Sequence, residues 1–157
     1  MMRLPDKLTV TARNRATGVP ANGVAIVLVL FASRKNDYYV GPLISNQDGQ
    51  VEFTRAECEA AIKRAQEMFV MDYSGDLESC RPFIEVRLHS PEQIKTMLQQ
   101  YRQSPDFWEK GFADPKRLFA DLENVKNADY EQARITTTEE QLRTNPQLEL
   151  PLVKKAA

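Results

Sequence analysis

The first half of the chain alternates short apolar stretches with turn residues, a pattern that predicts β-strands. Leu8–Arg13 alternates apolar and polar positions, and Val24–Ala32 is a continuous apolar run whose length fits a central strand. Tyr38–Ser45 is aromatic and β-branched. Gln50–Thr54 alternates directly behind Asn46–Gly49, which has the composition of a tight turn. We therefore predict four strands before residue 55, joined by short turns.

A helix start and a fifth strand follow these four strands. Thr54 and Glu57 have the spacing of a capping box, in which each side chain satisfies a backbone donor at the start of a helix. Apolar residues then recur at helical spacing, with Cys58 on the apolar stripe. The pattern predicts a helix near 55–69. Pro82–His89 alternates again and predicts a strand.

The second half is mainly helical in pattern. Helix starts are indicated at Ser90-Pro91 and Asp114-Pro115, and Thr136–Glu140 has the composition of a cap for a short further helix. Leu148–Val153 alternates and is followed by two lysines. We predict an α+β fold. Its parts are an antiparallel transthyretin- or immunoglobulin-like β-sandwich over residues 5–90 with one inserted helix, a helical appendage over 91–144, and an extended tail over 145–157.

Two turn motifs are similar to those of a known family. Ala16-Thr-Gly-Val-Pro-Ala-Asn-Gly-Val24, placed between two strands, resembles the opening of the transthyretin and 5-hydroxyisourate hydrolase family. Asn46-Gln-Asp-Gly49 resembles the Asp-Gly turn of transthyretin-like sandwiches, and a helix between later strands is a further similarity. The resemblance covers roughly residues 7–90 and implies a prealbumin-like sandwich.

The resemblance does not extend to the family's catalytic residues. Where the family has a histidine in its first strand, this chain has Thr11, and the closing Tyr-Arg-Gly-Ser motif is absent. The single histidine is His89, which lies next to Ser90, a residue that fits a helix N-cap better than a nucleophile. We expect no enzymatic activity. A hydrolase that uses His89 or Cys80 is the least favoured alternative.

The residue counts exclude several further classes of site. One histidine and two cysteines, Cys58 and Cys80, provide neither a multi-histidine metal site nor a C-x-x-C motif. We expect no metal and no cofactor. Both thiols are expected to be reduced and mostly buried, as in a cytoplasmic protein. No signal-peptide pattern and no apolar run of membrane-spanning length are visible.

Charge gives little support to nucleic-acid binding. The chain has 21 basic and 22 acidic residues, a formal net charge of −1. Binding to the phosphate backbone relies on an excess of positive charge. Arg13, Arg15, Arg34 and Lys35 form at most a small basic patch on neighbouring loops. We expect neither a nucleic-acid partner nor a membrane partner.

The sequence therefore favours a non-enzymatic protein–protein interaction module, such as an adaptor, an accessory or immunity-type protein, or a subunit of a complex. Self-association, for example as a homodimer, is left open. The candidate interaction surface consists of aromatic residues and tail leucines: Tyr38, Tyr39, Tyr101, Phe107, Trp108, Phe112, Leu148, Leu150 and Leu152. If the aromatic residues are instead buried, they dock the helices onto the sandwich.

Two further expectations can be compared with the structure. The alternative function is binding of a small ligand in a pocket between the sandwich and its helices, or at a dimer seam. The tail is expected to be dispensable for folding, so that removal of residues 145–157 leaves the sandwich intact and weakens only association.

Overall fold

A computed structural model describes residues 4–31, 37–60, 83–88, 92 and 124–156 of the chain. Within these ranges the protein is mostly β-sheet, with short helical segments. Residues 55–60 are helical, Lys126–Asp129 form a 3-10 turn, and Glu139–Thr144 form a short α-helix. The strands are β1 Lys7–Asn14, β2 Ala25–Phe31, β3 Asp37–Ile44, β4 Gln50–Thr54, β5 Phe83–Leu88, β6 Ala133–Thr138 and β7 Gln147–Leu152.

The strands form two sheets with a sandwich-like arrangement. The first sheet has the order β4-β1-β7, and the second has the order β3-β2-β5-β6. All pairs are antiparallel except β1 and β7, which run parallel from Thr9↔Gln147 to Asn14↔Leu152. Strand β1 is therefore the central strand of its sheet. It is the first described strand and pairs with β7, which is the last.

The hydrophobic core draws on both sheets. Alternate residues of β1, including Leu8 and Val10, and of β2, including Ile26 and Leu28, belong to one cluster of buried side chains. Strand β2 is buried on both faces from Ala25 to Leu30, because Ala25, Val27 and Val29 on its other face are also inaccessible to solvent. The continuous apolar run in the sequence is thus a central strand, as predicted.

Local signals in the sequence are confirmed by the structure. Thr54 and Glu57 form the capping box: the Thr54 backbone N–H donates to Glu57 Oε2 at 3.0 Å, and the Glu57 N–H donates to Thr54 Oγ1 at 3.1 Å. The threonine-rich segment also caps a helix, with reciprocal bonds between Thr138 and Gln141. Cys58 is buried, as its place on the apolar stripe predicted.

The chain after residue 124 differs from the expected division into a helical appendage and a tail. Residues Ala133–Thr138, expected within the appendage, form edge strand β6 of the second sheet. The segment expected as a tail forms edge strand β7, which pairs with β1. A fully antiparallel sandwich is therefore incorrect at this pair. A parallel pair cannot be joined by a hairpin, and β7 is separated from β1 by all the other described strands.

The two turn motifs meet on β1. The Ala12 N–H donates to the Gly49 carbonyl oxygen at 2.8 Å, and the Ala12 carbonyl oxygen accepts from the Ala21 N–H at 2.8 Å. Arg13 forms an isolated antiparallel bridge with Pro20. The β1–β2 turn and the β3–β4 turn are therefore neighbours, and β1 holds both of them by backbone hydrogen bonds.

Candidate functional site

The tail leucines of the predicted interaction surface belong to the core. Leu150 and Leu152 have no exposed surface, and Leu148 is partly buried against the same cluster. The alternation along β7 directs these three side chains inward, while Gln147, Glu149 and Pro151 are exposed. The leucines therefore stabilise the two-sheet arrangement and do not form a surface for a partner.

The aromatic candidates lie elsewhere. Tyr38 and Tyr39 are in β3, where their backbones pair with Leu30 and Val29, and the structure describes no more of them than the backbone. The remaining candidates lie outside the described residues, as do the two groups of the hydrolase alternative: Tyr101, Phe107, Trp108, Phe112, His89 and Cys80.

An open recess lies where β1 and β7 diverge. The last hydrogen bond along this pair runs from the Arg15 N–H to the Leu152 carbonyl oxygen at 2.8 Å. Beyond it the two segments separate and leave a volume of about 420 Å³. We call this space the basic recess, and its lining is Asn14, Arg15, Ala16, Val153 and Lys154. The recess is partly open to solvent.

The first wall of the basic recess is a turn held by Asn14. The Asn14 side-chain oxygen accepts from the backbone N–H groups of Ala16 at 2.9 Å and Thr17 at 3.3 Å. The Asn14 carbonyl oxygen accepts from the Gly18 N–H at 2.7 Å. Such asparagine-centred turns fix a backbone without help from the core. They hold Arg15 and Ala16 in place at the edge of the sandwich.

The second wall is a short extended segment held from its outer side. The Val153 carbonyl oxygen accepts from the Glu131 N–H at 2.8 Å, and the Lys155 N–H donates to the Asp129 carbonyl oxygen at 2.9 Å. Successive peptide groups of an extended chain point in opposite directions. The Lys154 N–H therefore points away from this segment, toward the β1 side. No acceptor for it is found among the residues that the structure describes.

Among the described residues, the cations of the basic recess have no carboxylate partner, unlike the neighbouring cation Arg13. Arg13 lies 3.4 Å from Glu149, measured from Nε to Oε2. Arg15 and Lys154 form no ion pair within the described ranges of the chain. Arg15 and Lys154 therefore both contribute to the lining of the recess, whose surface is mainly apolar.

Exposed apolar side chains border these cations. Val153, in the second wall, is 42% exposed, and Val19 is 60% exposed. The Val19 carbonyl oxygen accepts from the Asn14 N–H at 2.9 Å, so this valine lies beside the first wall. This end of the sandwich therefore combines exposed valines with two cations that pair with no carboxylate of the described residues, a combination that suits a ligand with both acidic and apolar groups.

A second group of charges lies on the second sheet, on the opposite face from the core cluster. The Glu85 carboxylate is 8% exposed, contacts the Arg87 guanidinium, and lies 3.9 Å from Arg134. Two guanidinium groups compensate this buried carboxylate. We therefore assign the group to the stability of strands β5 and β6 rather than to ligand binding.

The described part of the chain has no feature that indicates metal binding or membrane insertion. No group of three or more histidine, cysteine, aspartate or glutamate residues there is arranged to hold a metal ion. The helices described there are too short and too polar to cross a membrane.

Of the two cations that line the basic recess, only Arg15 was singled out from the sequence. Arg15 was part of the small basic patch expected on neighbouring loops, together with Arg34 and Lys35, which lie outside the described residues. Lys154 was visible only as one of two lysines after an alternating segment. Its position beside Arg15 depends on the parallel pairing of β7 with β1. No protein-family model, curated protein or solved structure matches the chain.

Proposed function

We propose that the chain is a non-enzymatic protein–protein interaction module that binds its partner at the end of the sandwich that carries the basic recess. The observation that carries this proposal is the combination of exposed Val19 and Val153 with Arg15 and Lys154, which form no ion pair among the residues that the structure describes. Interfaces typically pair an apolar centre with complementary charges at the rim. An adaptor, an accessory or immunity-type protein, or a complex subunit fits this description.

The proposal also includes a transthyretin-like fold and a cytoplasmic location for the protein. The Thr-Gly-Val-Pro motif joins β1 to β2, and the Asp-Gly turn joins β3 to β4, which supports a transthyretin-like sandwich. Helical residues 55–60 depart from the family, because they precede β5, whereas the helix of transthyretin follows the fifth strand. Burial of the Cys58 thiol supports a reducing, cytoplasmic setting.

The proposal is tested by reversing the charge of the basic recess. Arg15→Glu with Lys154→Glu changes the net charge by −4 at the recess, and Lys126→Glu with Arg143→Glu makes the same change at two exposed cations outside its lining. Each protein is used as bait in cell extract and examined by sedimentation. We expect the recess variant to lose a partner, or a self-association, that the wild type and the control variant retain.

A result with the opposite pattern overturns the proposal. If the wild type and the recess variant capture the same proteins and sediment alike, this end of the sandwich is not the interaction surface. Circular dichroism and thermal unfolding of each variant show that the fold is retained, so that a lost partner is not a lost fold.

A small-ligand binder is the second candidate, favoured by the volume of the basic recess. Its volume of about 420 Å³ falls within the range of roughly 300–1,000 Å³ that is usual for small-ligand sites. Its position at the open end of β1 and β7 differs from the expected pocket between sandwich and helices. A thermal-shift screen with small carboxylic acids tests this candidate, because a ligand that binds only the native state raises the melting temperature.

A further inference from the structure

Strand β6 is an edge of the second sheet, and its second side has no partner strand among the residues that the structure describes. Residues of an antiparallel pair alternate between those that exchange backbone hydrogen bonds with the partner strand and those that do not. The Thr138 N–H donates to the Gln141 side chain at 3.2 Å, so Thr138 is of the second kind. The backbone groups of Thr136 and Arg134 therefore point away from β5. No hydrogen bond satisfies them within the described part of the chain.

The other three sheet edges have features that hinder the addition of a further strand. Strand β3 contains Gly41-Pro42, and its pairing with β2 shifts register there. Strand β7 contains Pro151, which has no N–H to donate. Strand β4 has only five residues and carries the exposed charge of Glu52. Such features prevent sheets from pairing edge to edge. Strand β6 has neither a proline nor a register shift, and most of its residues are β-branched.

The inner face of β6 also leaves apolar surface partly uncovered. Ala133 and Ile135 are only partly buried against the core cluster, and so is Leu148 of the nearby strand β7. A further strand beside β6 would cover some of this apolar surface and would satisfy the free backbone groups at the same time. This edge therefore suits strand addition, a recurring mode of protein recognition.

The charges along this edge favour an antiparallel copy of the same strand. Arg134 lies near the start of β6, and its side chain is 76% exposed. Glu139 and Glu140 follow directly after the end of the strand. When two copies run antiparallel, the start of each β6 lies beside the end of the other, so each Arg134 approaches the acidic residues of the second copy. Two-fold symmetry forms this contact twice, and only uncharged residues meet between the two contacts.

We propose that β6 pairs with the β6 strand of a second copy of this chain, so that the two four-stranded sheets form one continuous sheet. Thr136 lies on the two-fold axis and exchanges backbone hydrogen bonds with its counterpart. A contact through one six-residue strand is small, so the dimer is reversible and depends on concentration. This inference goes beyond the proposed function, because no residue of β6 lines the basic recess.

The test measures self-association and locates it on the chain. Sedimentation equilibrium of the full chain is recorded from micromolar to millimolar protein concentrations. Nuclear magnetic resonance follows the hydrogen exchange of the Arg134 and Thr136 amides at both ends of this range. We expect a reversible dimer, and slower exchange at these two amides as the dimer fraction rises.

Substitutions at the two-fold axis link the dimer to β6. Thr136→Lys places two like charges opposite each other, and we expect it to weaken the dimer by about ten-fold or more. Thr136→Val keeps the branched shape and the N–H, and should dimerise as the wild type does. Gln147→Lys adds the same charge at an exposed position of β7 and should change the dimer dissociation constant by less than about two-fold. Thermal unfolding of each variant shows that the fold is retained.

The outcomes separate this inference from the proposed function. A monomer at every concentration, or a dimer that Thr136→Lys leaves unchanged, overturns the pairing through β6. Protection of the Arg134 and Thr136 amides in a monomer also overturns it, because the edge is then covered within the chain. The variant Arg15→Glu with Lys154→Glu should dimerise as the wild type does. If it loses a partner while the wild type stays monomeric, the interaction module stands and only the pairing through β6 is wrong.

Discussion

The side chain of Asn127 forms the two hydrogen bonds that a neighbouring strand would otherwise form with the backbone of Ala25. Asn127 Oδ1 accepts from the Ala25 N–H at 2.7 Å, and Asn127 Nδ2 donates to the Ala25 carbonyl oxygen at 2.9 Å. Both residues are almost fully buried. The Asn127 amide therefore satisfies both backbone polar groups of one residue at the start of β2, where water cannot reach them.

Replacement of Asn127 should destabilise the protein strongly. Asn127→Ala leaves the N–H and the carbonyl oxygen of Ala25 buried without these partners. Since each such loss costs about 1–3 kcal/mol, we expect the free energy of unfolding to fall by about 2–5 kcal/mol. Urea unfolding measures this change. Asn145→Ala, at an exposed position, is the control and should change the stability by less than about 1 kcal/mol.

Because the β1–β2 turn and the β3–β4 turn lie close together, alanine should cost a different amount of stability at Gly49 than at Gly18. Gly49 and Gly18 both have positive φ, +72° and +75°. A Cβ atom at Gly49 would collide with the Ala12 carbonyl oxygen and lie 3.0 Å from the Ala21 nitrogen, whereas one at Gly18 has nothing within 4 Å. Gly18→Ala should cost only about 1–2 kcal/mol for the left-handed backbone.

Gly49→Ala should cost clearly more than Gly18→Ala, because backbone atoms of two strand ends must move as well. Thermal unfolding of both variants under identical conditions makes the comparison. Equal melting temperatures would contradict the close contact between the two turns.

Strand β7 should be essential for folding. Leu150 is fully buried, and Leu150→Ala is expected to lower the free energy of unfolding by about 2–5 kcal/mol, as for other leucine truncations in cores. Pro151→Ala, at the adjacent exposed position, should change it by less than about 1 kcal/mol. Guanidinium unfolding followed by circular dichroism measures both variants.

Removal of residues 145–157 should have a still larger effect. It deletes one of the two neighbours of β1 and uncovers the core beneath Leu150 and Leu152. We expect the truncated chain to lose its cooperative unfolding transition. A truncated protein with a native-like transition would support the earlier expectation that the tail is dispensable.

The capping box at the start of the helix Glu139–Thr144 predicts a smaller loss of stability. The Thr138 hydroxyl accepts from the Gln141 N–H at 3.2 Å, and the Gln141 side chain accepts from the Thr138 N–H. Thr138→Ala should lower the free energy of unfolding by about 0.5–2 kcal/mol, while Thr138→Ser should keep most of it. Chemical denaturation of both variants tests whether the hydroxyl, rather than the side-chain volume, is responsible.

Elements defined by local pattern were predictable from the sequence. The five predicted strands match observed strands within one residue at each end, because alternation and turn residues act over a few positions. The Thr54 and Thr138 caps were visible for the same reason. Strand β6 was missed, although Ile135–Thr138 is a β-branched run, because the same threonines also have the composition of a helix cap.

Pairing between distant segments was not predictable. Nothing in Leu148–Leu152 indicates whether this segment lies on a surface or pairs with β1, since both arrangements use the same alternation. The location of the candidate site depends on which of these two arrangements the segment adopts. Arg15 and Lys154 become neighbours only through the parallel register of β1 and β7, so half of the basic recess could not be inferred from local sequence.

The parallel pairing of β1 with β7 sets an order for events during synthesis. Strand β1 is made before the other described strands, and its partner Gln147–Leu152 is made only after all of them. Until then, one side of β1 has unsatisfied backbone groups, and Leu8 and Val10 lack part of their cover. Nascent chains must therefore hold an unfinished sheet, which is an exposed edge that molecular chaperones and proteases can recognise before the last strand closes it.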